Sequence, residues 1–178
     1  MRQRLFYIFI ICFLTQFIAC QATNSQGKSC ILPGDDFAQV ENCLHSDKDG
    51  LYIAAPYISQ LTFAQNALAV VYAKDEGWMY VNKEGRVIIA GVAPMDNGAD
   101  IFHDGLVRFS KNKKWGFADE QGNIIIPPVY DGALNFQAGL ARVCKGCVEK
   151  CVNKNCEQRY FSGGAWFYLN TKGKIVKK

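Results

Sequence analysis

The sequence predicts an all-β fold of three repeated strand-plus-β-hairpin units, and three observations carry that prediction. A tryptophan-headed pattern occurs three times: "GWMYVNKEGRVII" (Gly77 to Ile89), "KWGFADEQGNIII" (Lys114 to Ile126) and "AWFYLNTKGKIV" (Ala165 to Val176). A strand of Gly-Leu type precedes each, in "NALAVVY", "DGLVRF" and "AGLARV". The 178-residue chain is 49% hydrophobic and 13% aromatic, a composition able to bury a sizeable single core.

The first element is not part of that fold. Met1 to Arg4 is a basic start, Leu5 to Leu14 is an uncharged apolar run, and small residues follow at Ala19, Cys20 and Ala22. This is the layout of a secretory signal peptide over residues 1–19, too short for a membrane span. "FIAC" (Phe17 to Cys20) resembles a bacterial lipobox, which implies lipidation at Cys20; the small residues also permit cleavage after Ala22. With Gln21 rather than Asp in second place, the lipobox resemblance implies the outer membrane. Residues 20–29, polar and poor in apolar side chains, read as a tether.

Next comes a short stapled segment, residues 30–50. Cys30 and Cys43 flank "ILPGDDFAQVEN", where Asp36 and Gln39 resemble a capping box and Phe37, Val40 and Leu44 share a helical face. A short helix held by a Cys30–Cys43 disulfide is expected. Export favours that bond, because an oxidising compartment turns thiols into disulfides.

The repeat domain is assigned to residues 51–178. In each hairpin two rings alternate with other residues along the first strand: Trp78 and Tyr80, Trp115 and Phe117, Trp166 and Tyr168. They are expected to form the repeat core, with the three tryptophans in equivalent buried positions. Asn82, Asp119 and Asn170 start the turns, and Gly85, Gly122 and Gly173, three residues on, supply positive φ for a type I turn with a bulge. A β-branched return strand follows, and Pro127 and Pro128 are expected to end its pairing. Trp78 to Trp115 and Gly85 to Gly122 are both 37 residues apart.

On these residues, above all "KKWGFADEQGNIIIPPVYDGALNFQAGLARV" (Lys113 to Val143), the chain resembles the WG-repeat family. The first and third units have Met79 and Phe167 where the second has Gly116. The resemblance implies consecutive β-hairpins, atypical terminal repeats, no general catalytic activity and an interaction or scaffolding role.

From the Gly-Leu strand to the tryptophan takes 9 or 10 residues in the first two units and 26 in the third. The excess, a Cys-rich insertion at about 144–160, holds Cys144, Cys147, Cys151 and Cys156 and is expected to be a stapled loop. Four thiols so close can hold zinc or do redox chemistry, but the spacing is not that of a zinc ribbon and export favours two disulfides. Three pairings among the four remain open.

Little else points to chemistry. His103 lies between Asp100 and Asp104, an arrangement found in acid-base sites and also in ordinary loops. "HSDKDG" (His45 to Gly50) fails as a calcium loop, because His45 and Pro56 fall where acids are required. "KNKK" (Lys111 to Lys114) reads as a solvated turn. Of the formal charge of +4, Arg2 and Arg4 leave with the leader, so the remaining +2 is too balanced for a nucleic-acid binder. The expectation is a non-enzymatic exported lipoprotein, without metal or cofactor, that acts as a protein-interaction or scaffold module of the cell envelope. It meets the membrane through its lipid anchor only, and its partner is a protein. The alternative is a carbohydrate or peptidoglycan binder using Tyr160, Phe161 and Trp166 beside Gly163-Gly164.

Overall fold

The computed structural model describes residues 27–33, 38–95, 98–156 and 158–177. The expected signal peptide, Cys20 and most of the expected tether lie outside the described residues. The chain runs β1 (Lys28–Leu32), β2 (Ala38–Asp47), β3 (Gly50–Ile53), a single helical turn α1 (Ala55–Ile58), β4 (Ala69–Ala73), β5 (Gly77–Val81) and β6 (Val87–Val92). It continues with β7 (Pro94–Met95), β8 (Gly98–Ala99), β9 (Leu106–Lys111), β10 (Lys114–Asp119), β11 (Ile124–Tyr130), β12 (Gly132–Ala133), β13 (Leu140–Cys151), β14 (Arg159–Asn170) and β15 (Ile175–Val176). The fold is all-β, as expected.

Nine strands form one antiparallel sheet in the order β11-β10-β9-β6-β5-β4-β1-β2-β3. Strands β12 to β15 form a second sheet, and β7 pairs with β8 alone. The larger sheet curls back on itself. Tyr52 at its β3 edge bridges Arg86, and the Ile53 amide donates to the Gly85 carbonyl at 2.8 Å.

Three strand triplets, β4–β6, β9–β11 and β13–β15, share one turn design. The side-chain oxygens of Asn82, Asp119 and Asn170 accept from the amides of Arg86, Asn123 and Lys174 at 2.8, 2.8 and 3.0 Å. Gly85, Gly122 and Gly173 sit at φ of +80°, +81° and +74°, where a Cβ would be strained. Each donates its amide to the carbonyl of the turn's first residue.

The core is divided among the joints between successive pieces. Cys30, Cys43, Leu44, Ile53, Met79 and Val81 pack the N-terminal strands against the first triplet. Tyr80 and Ile89 of the first triplet meet Val107, Phe109 and Ala118 of the second. Phe117 and Ile126 of the second meet Ala141, Val143 and Leu169 of the third. A central strand such as β5 thus buries both faces, one in each neighbouring joint.

Four expectations change. Between Cys30 and Cys43 there is a hairpin, β1 with β2, and no helix among the described residues; Asp36 and Phe37 lie outside them. Val40 and Leu44, four apart, share a face in a strand as well as in a helix, so the spacing could not separate the two. The Cys30–Cys43 disulfide crosses this hairpin with Cα atoms 5.6 Å apart. Ordered strand begins at Lys28, inside the stretch read as tether.

Pro127 and Pro128 do not end pairing. Strand β11 runs through them to Tyr130, opposite Trp115, with a bulge after the Phe117–Ile126 pair. It can do so because β11 is the edge of its sheet, where a missing outward donor costs nothing. The Cys-rich insertion is not a loop either. It continues β13 and β14 into one long two-stranded ribbon, paired from Leu140–Asn170 to Cys151–Arg159.

Candidate functional site: a groove where the two sheets meet

The groove follows from how the ribbon is built. Disulfides Cys144–Cys147 and Cys151–Cys156 staple it, the first inside β13 and the second across its tip. Gly164 permits the close approach of its two strands, since a Cβ there would lie 2.4 Å from the Cys147 amide nitrogen and 2.5 Å from the Lys145 carbonyl oxygen. Asp131, between β11 and β12, accepts from the Gly146 amide at 2.7 Å and pairs with Lys114 of β10, tying the ribbon to the larger sheet. Those bonds hold the Asp131 carboxyl below the usual carboxylate range, the Lys114 contact first.

Between ribbon and sheet lies a cavity of about 840 Å³. Trp115 from β10 and Phe161 from β14 meet across it edge to face, with centroids 5.9 Å apart. Arg108 stands over the Trp115 ring at 6.0 Å. Its Nε donates to the buried carboxylate of Asp100 at 2.8 Å and its Nη1 to the Ala133 carbonyl at 3.0 Å. Asp100 also accepts from the Asn135 side chain and the Ile101 amide, each at 3.1 Å. Beneath this network Tyr80 donates to the Asp100 carbonyl at 2.8 Å. Burial first, then the Asp100 charge, pushes the Tyr80 hydroxyl up to about 12.

On the ribbon side Arg142 stacks over Trp166 at 4.7 Å and Tyr168 at 5.8 Å. Nearer the tip, Arg159 pairs with Glu149 at 3.2 Å. The groove therefore offers guanidinium forks and flat rings. Of the ten exposed large hydrophobic side chains among the described residues, four also line it: Met95, Leu134, Val152 and Tyr160.

The expected tryptophan core is partly redrawn. Tyr80 and Phe117 are buried, but Trp78, Trp115, Trp166 and Tyr168 are only half-buried. Trp78 and Trp115 are the second residues of β5 and β10, and Trp166 lies inside β14; they pack on Tyr72, on Phe161 and under Arg142 respectively. Trp78 packs on the joint between the first two triplets, Trp115 packs on the next joint and also lines the groove, and Trp166 lines the groove.

Tyr160, Phe161 and Trp166 are brought together at the groove. His103 and its acidic neighbours are not joined into a reactive set. Asp100 is engaged by Arg108, Asp104 accepts from the Gly139 amide at 2.7 Å, and His103 Nε2 is buried without a hydrogen-bond partner. Lys113 lies in a tight positive-φ turn with Asn112 (φ +61° and +52°), and Lys114 is committed to Asp131. Among the described residues no cluster of three His, Cys, Asp or Glu side chains is placed to hold a metal ion. Arg108 and Arg142, the two arginines stacked on rings at the groove, are not singled out by the sequence. Their one signal is position, each two residues after the leucine that starts its triplet, Leu106 or Leu140.

No curated protein and no solved structure matches the chain. Residues 115–146, which run from Trp115 through β11 to the start of the ribbon, match the family described as WG-containing repeat.

Proposed function

We propose, from the premise that residues 115–146 are a WG-containing repeat, that the chain is a non-enzymatic exported lipoprotein carrying three such repeats and binding a protein partner in the cell envelope. The observation that carries this reading is the groove at the junction of the sheets, one wall of which is the disulfide-stapled ribbon. Rigid strands present its aromatic and arginine side chains, the residue types that dominate binding hot spots. The leader-like residues 1–19 and the three disulfides support export. Lipidation at Cys20 supplies the anchor.

The test is a pull-down from detergent-solubilised envelope, comparing intact protein with a variant whose ribbon tip, residues 151–159, is replaced by a two-residue turn. Identical partner sets from the two would refute the groove as the contact. Labelling with a tagged fatty acid checks the anchor, since Cys20→Ala should lose both label and membrane fraction.

One observation favours a second reading, a glycan binder: Tyr160, Phe161 and Trp166 all line the groove. It predicts quenched tryptophan fluorescence on adding cell-wall fragments.

A further inference from the structure

The second and third triplets hold the same arginine in two different states. Arg108 and Arg142 occupy the same place after Leu106 and Leu140, and each stands over the tryptophan of its own hairpin. Arg108 is satisfied, its Nε on the Asp100 carboxylate and its Nη1 on a backbone carbonyl. Arg142 has the ring stacking and, among the described residues, no carboxylate. The reason lies in the link before each leucine. The Leu134 amide donates to the Arg142 carbonyl at 2.8 Å as the Ala93 amide does to the Arg108 carbonyl at 3.1 Å, so Leu134 lies beside Arg142 as the counterpart of Ala93. From Ala93 the second triplet runs on through Asp100 to Leu106, whereas residues 134–140 contain no acid.

We infer that the groove binds an acidic, extended segment of a partner protein, whose carboxylate takes on Arg142 the place that Asp100 holds on Arg108. This rests on the protein-binding reading above and gives it a ligand chemistry. A guanidinium stacked on a ring is a preorganised fork for a carboxylate, and arginine-lined sites are a recurring way to read acidic motifs. The exposed Leu134 and Tyr160 provide apolar contacts for side chains flanking the acid. A glycan fits less well, because hydroxyl groups need acceptors as well as donors. Among the described residues that line the groove the one exposed carboxylate, Glu149, is already taken by Arg159.

The experiment uses the purified full-length exported protein in detergent with its disulfides intact. The probe is a fluorescein-labelled octapeptide of alternating glutamate and leucine, with a glutamine-for-glutamate twin, read by fluorescence anisotropy at low and high salt. Expected are binding of the acidic peptide, at least tenfold weaker binding of the twin, and loss of affinity with salt. Arg142→Gln should weaken the acidic peptide at least tenfold, while Lys48→Gln, a distant exposed cation, should not. Leu134→Asp is the sharper variant. It places a carboxylate of the chain itself beside Arg142 and should also block the peptide at least tenfold.

Equal affinity for the two peptides, no binding of either, or unchanged binding by both groove variants would each overturn the inference. So would stronger competition by polygalacturonate than by unlabelled acidic peptide. If the envelope partner is lost on shortening the ribbon but retained by Arg142→Gln, the protein-binding reading stands and the acidic-ligand inference falls.

Discussion

Gly116→Ala tests the steric account of the Trp-Gly pair. Gly116 is not at positive φ, so its requirement is space. A Cβ there would lie 2.5 Å from the Ile126 carbonyl oxygen, 2.8 Å from the Pro128 nitrogen and 2.9 Å from the Pro127 carbonyl carbon. All three are backbone atoms of the proline bulge, which cannot swing aside as a side-chain tip does. Overpacking of this kind costs roughly 1–3 kcal/mol. Removing a glycine from a strand returns about 0.5–1 kcal/mol through the unfolded state. The net expectation is a loss of about 1 kcal/mol, which at about 2–4 °C per kcal/mol for a chain of this size lowers Tm by about 2–4 °C. The assay is thermal unfolding with disulfides intact, followed by circular dichroism. Gly98→Ala is the control, because nothing lies within 4 Å of a Cβ built at Gly98 and its φ is not positive. A Gly116→Ala protein as stable as that control would refute the reasoning.

Four further outcomes are expected. Asp100→Ala leaves the half-sequestered Arg108 charge without its carboxylate and should cost about 3 kcal/mol or more in urea unfolding; a loss under about 1 kcal/mol would mean that the Ala133 carbonyl suffices. Replacing both Cys30 and Cys43 by Ala should cost about 3 kcal/mol, because their disulfide closes a 13-residue separation inside the core. The same change at Cys151 and Cys156, at the ribbon tip and outside the core clusters, should loosen the tip and leave the global transition nearly in place. The Arg86 hydrogen bonds hold the Asp47 carboxyl down at about 2, against an ordinary value of 3.8. A depressed carboxylate stabilises above its unfolded value, so this contribution should be intact above pH 3.8 and fade as pH falls toward 2. Carbon-detected NMR titration should place the Asp47 midpoint near 2 and return it toward 3.8 in Arg86→Ala.

The turns were readable from sequence because their chemistry is local. A short polar side chain and a glycine three residues later meet within one hairpin, and Asn82-Gly85 looks the same in a string as in space. Gly116 was visible as half of a Trp-Gly pair, but its reason was not, since the atoms it must clear belong to a bulge on the returning strand. The segment at Cys30 to Cys43 was misread because a spacing of four suits either period. The tryptophans were placed in register but given too much burial, because sequence does not say which strand end opens onto solvent. The groove needed the fold. Arg142 and Phe161 lie on different strands of the ribbon and Trp115 on another sheet, and no spacing rule joins them.

The paired prolines of β11 decide more than the shape of one strand. In the first triplet the returning strand β6 reaches the next through the Val92–Phe109 pair, and the sheet goes on. Pro127 and Pro128 present no donor to a further strand, the nine-stranded sheet stops at β11, and the chain starts a new one at β12. The two prolines thus act as a crease in an otherwise continuous fabric, and the groove is the angle at the fold. In a tandem array such a crease is portable. Placed one unit earlier or later, it would open the same angle between a different pair of units, with each unit itself unchanged.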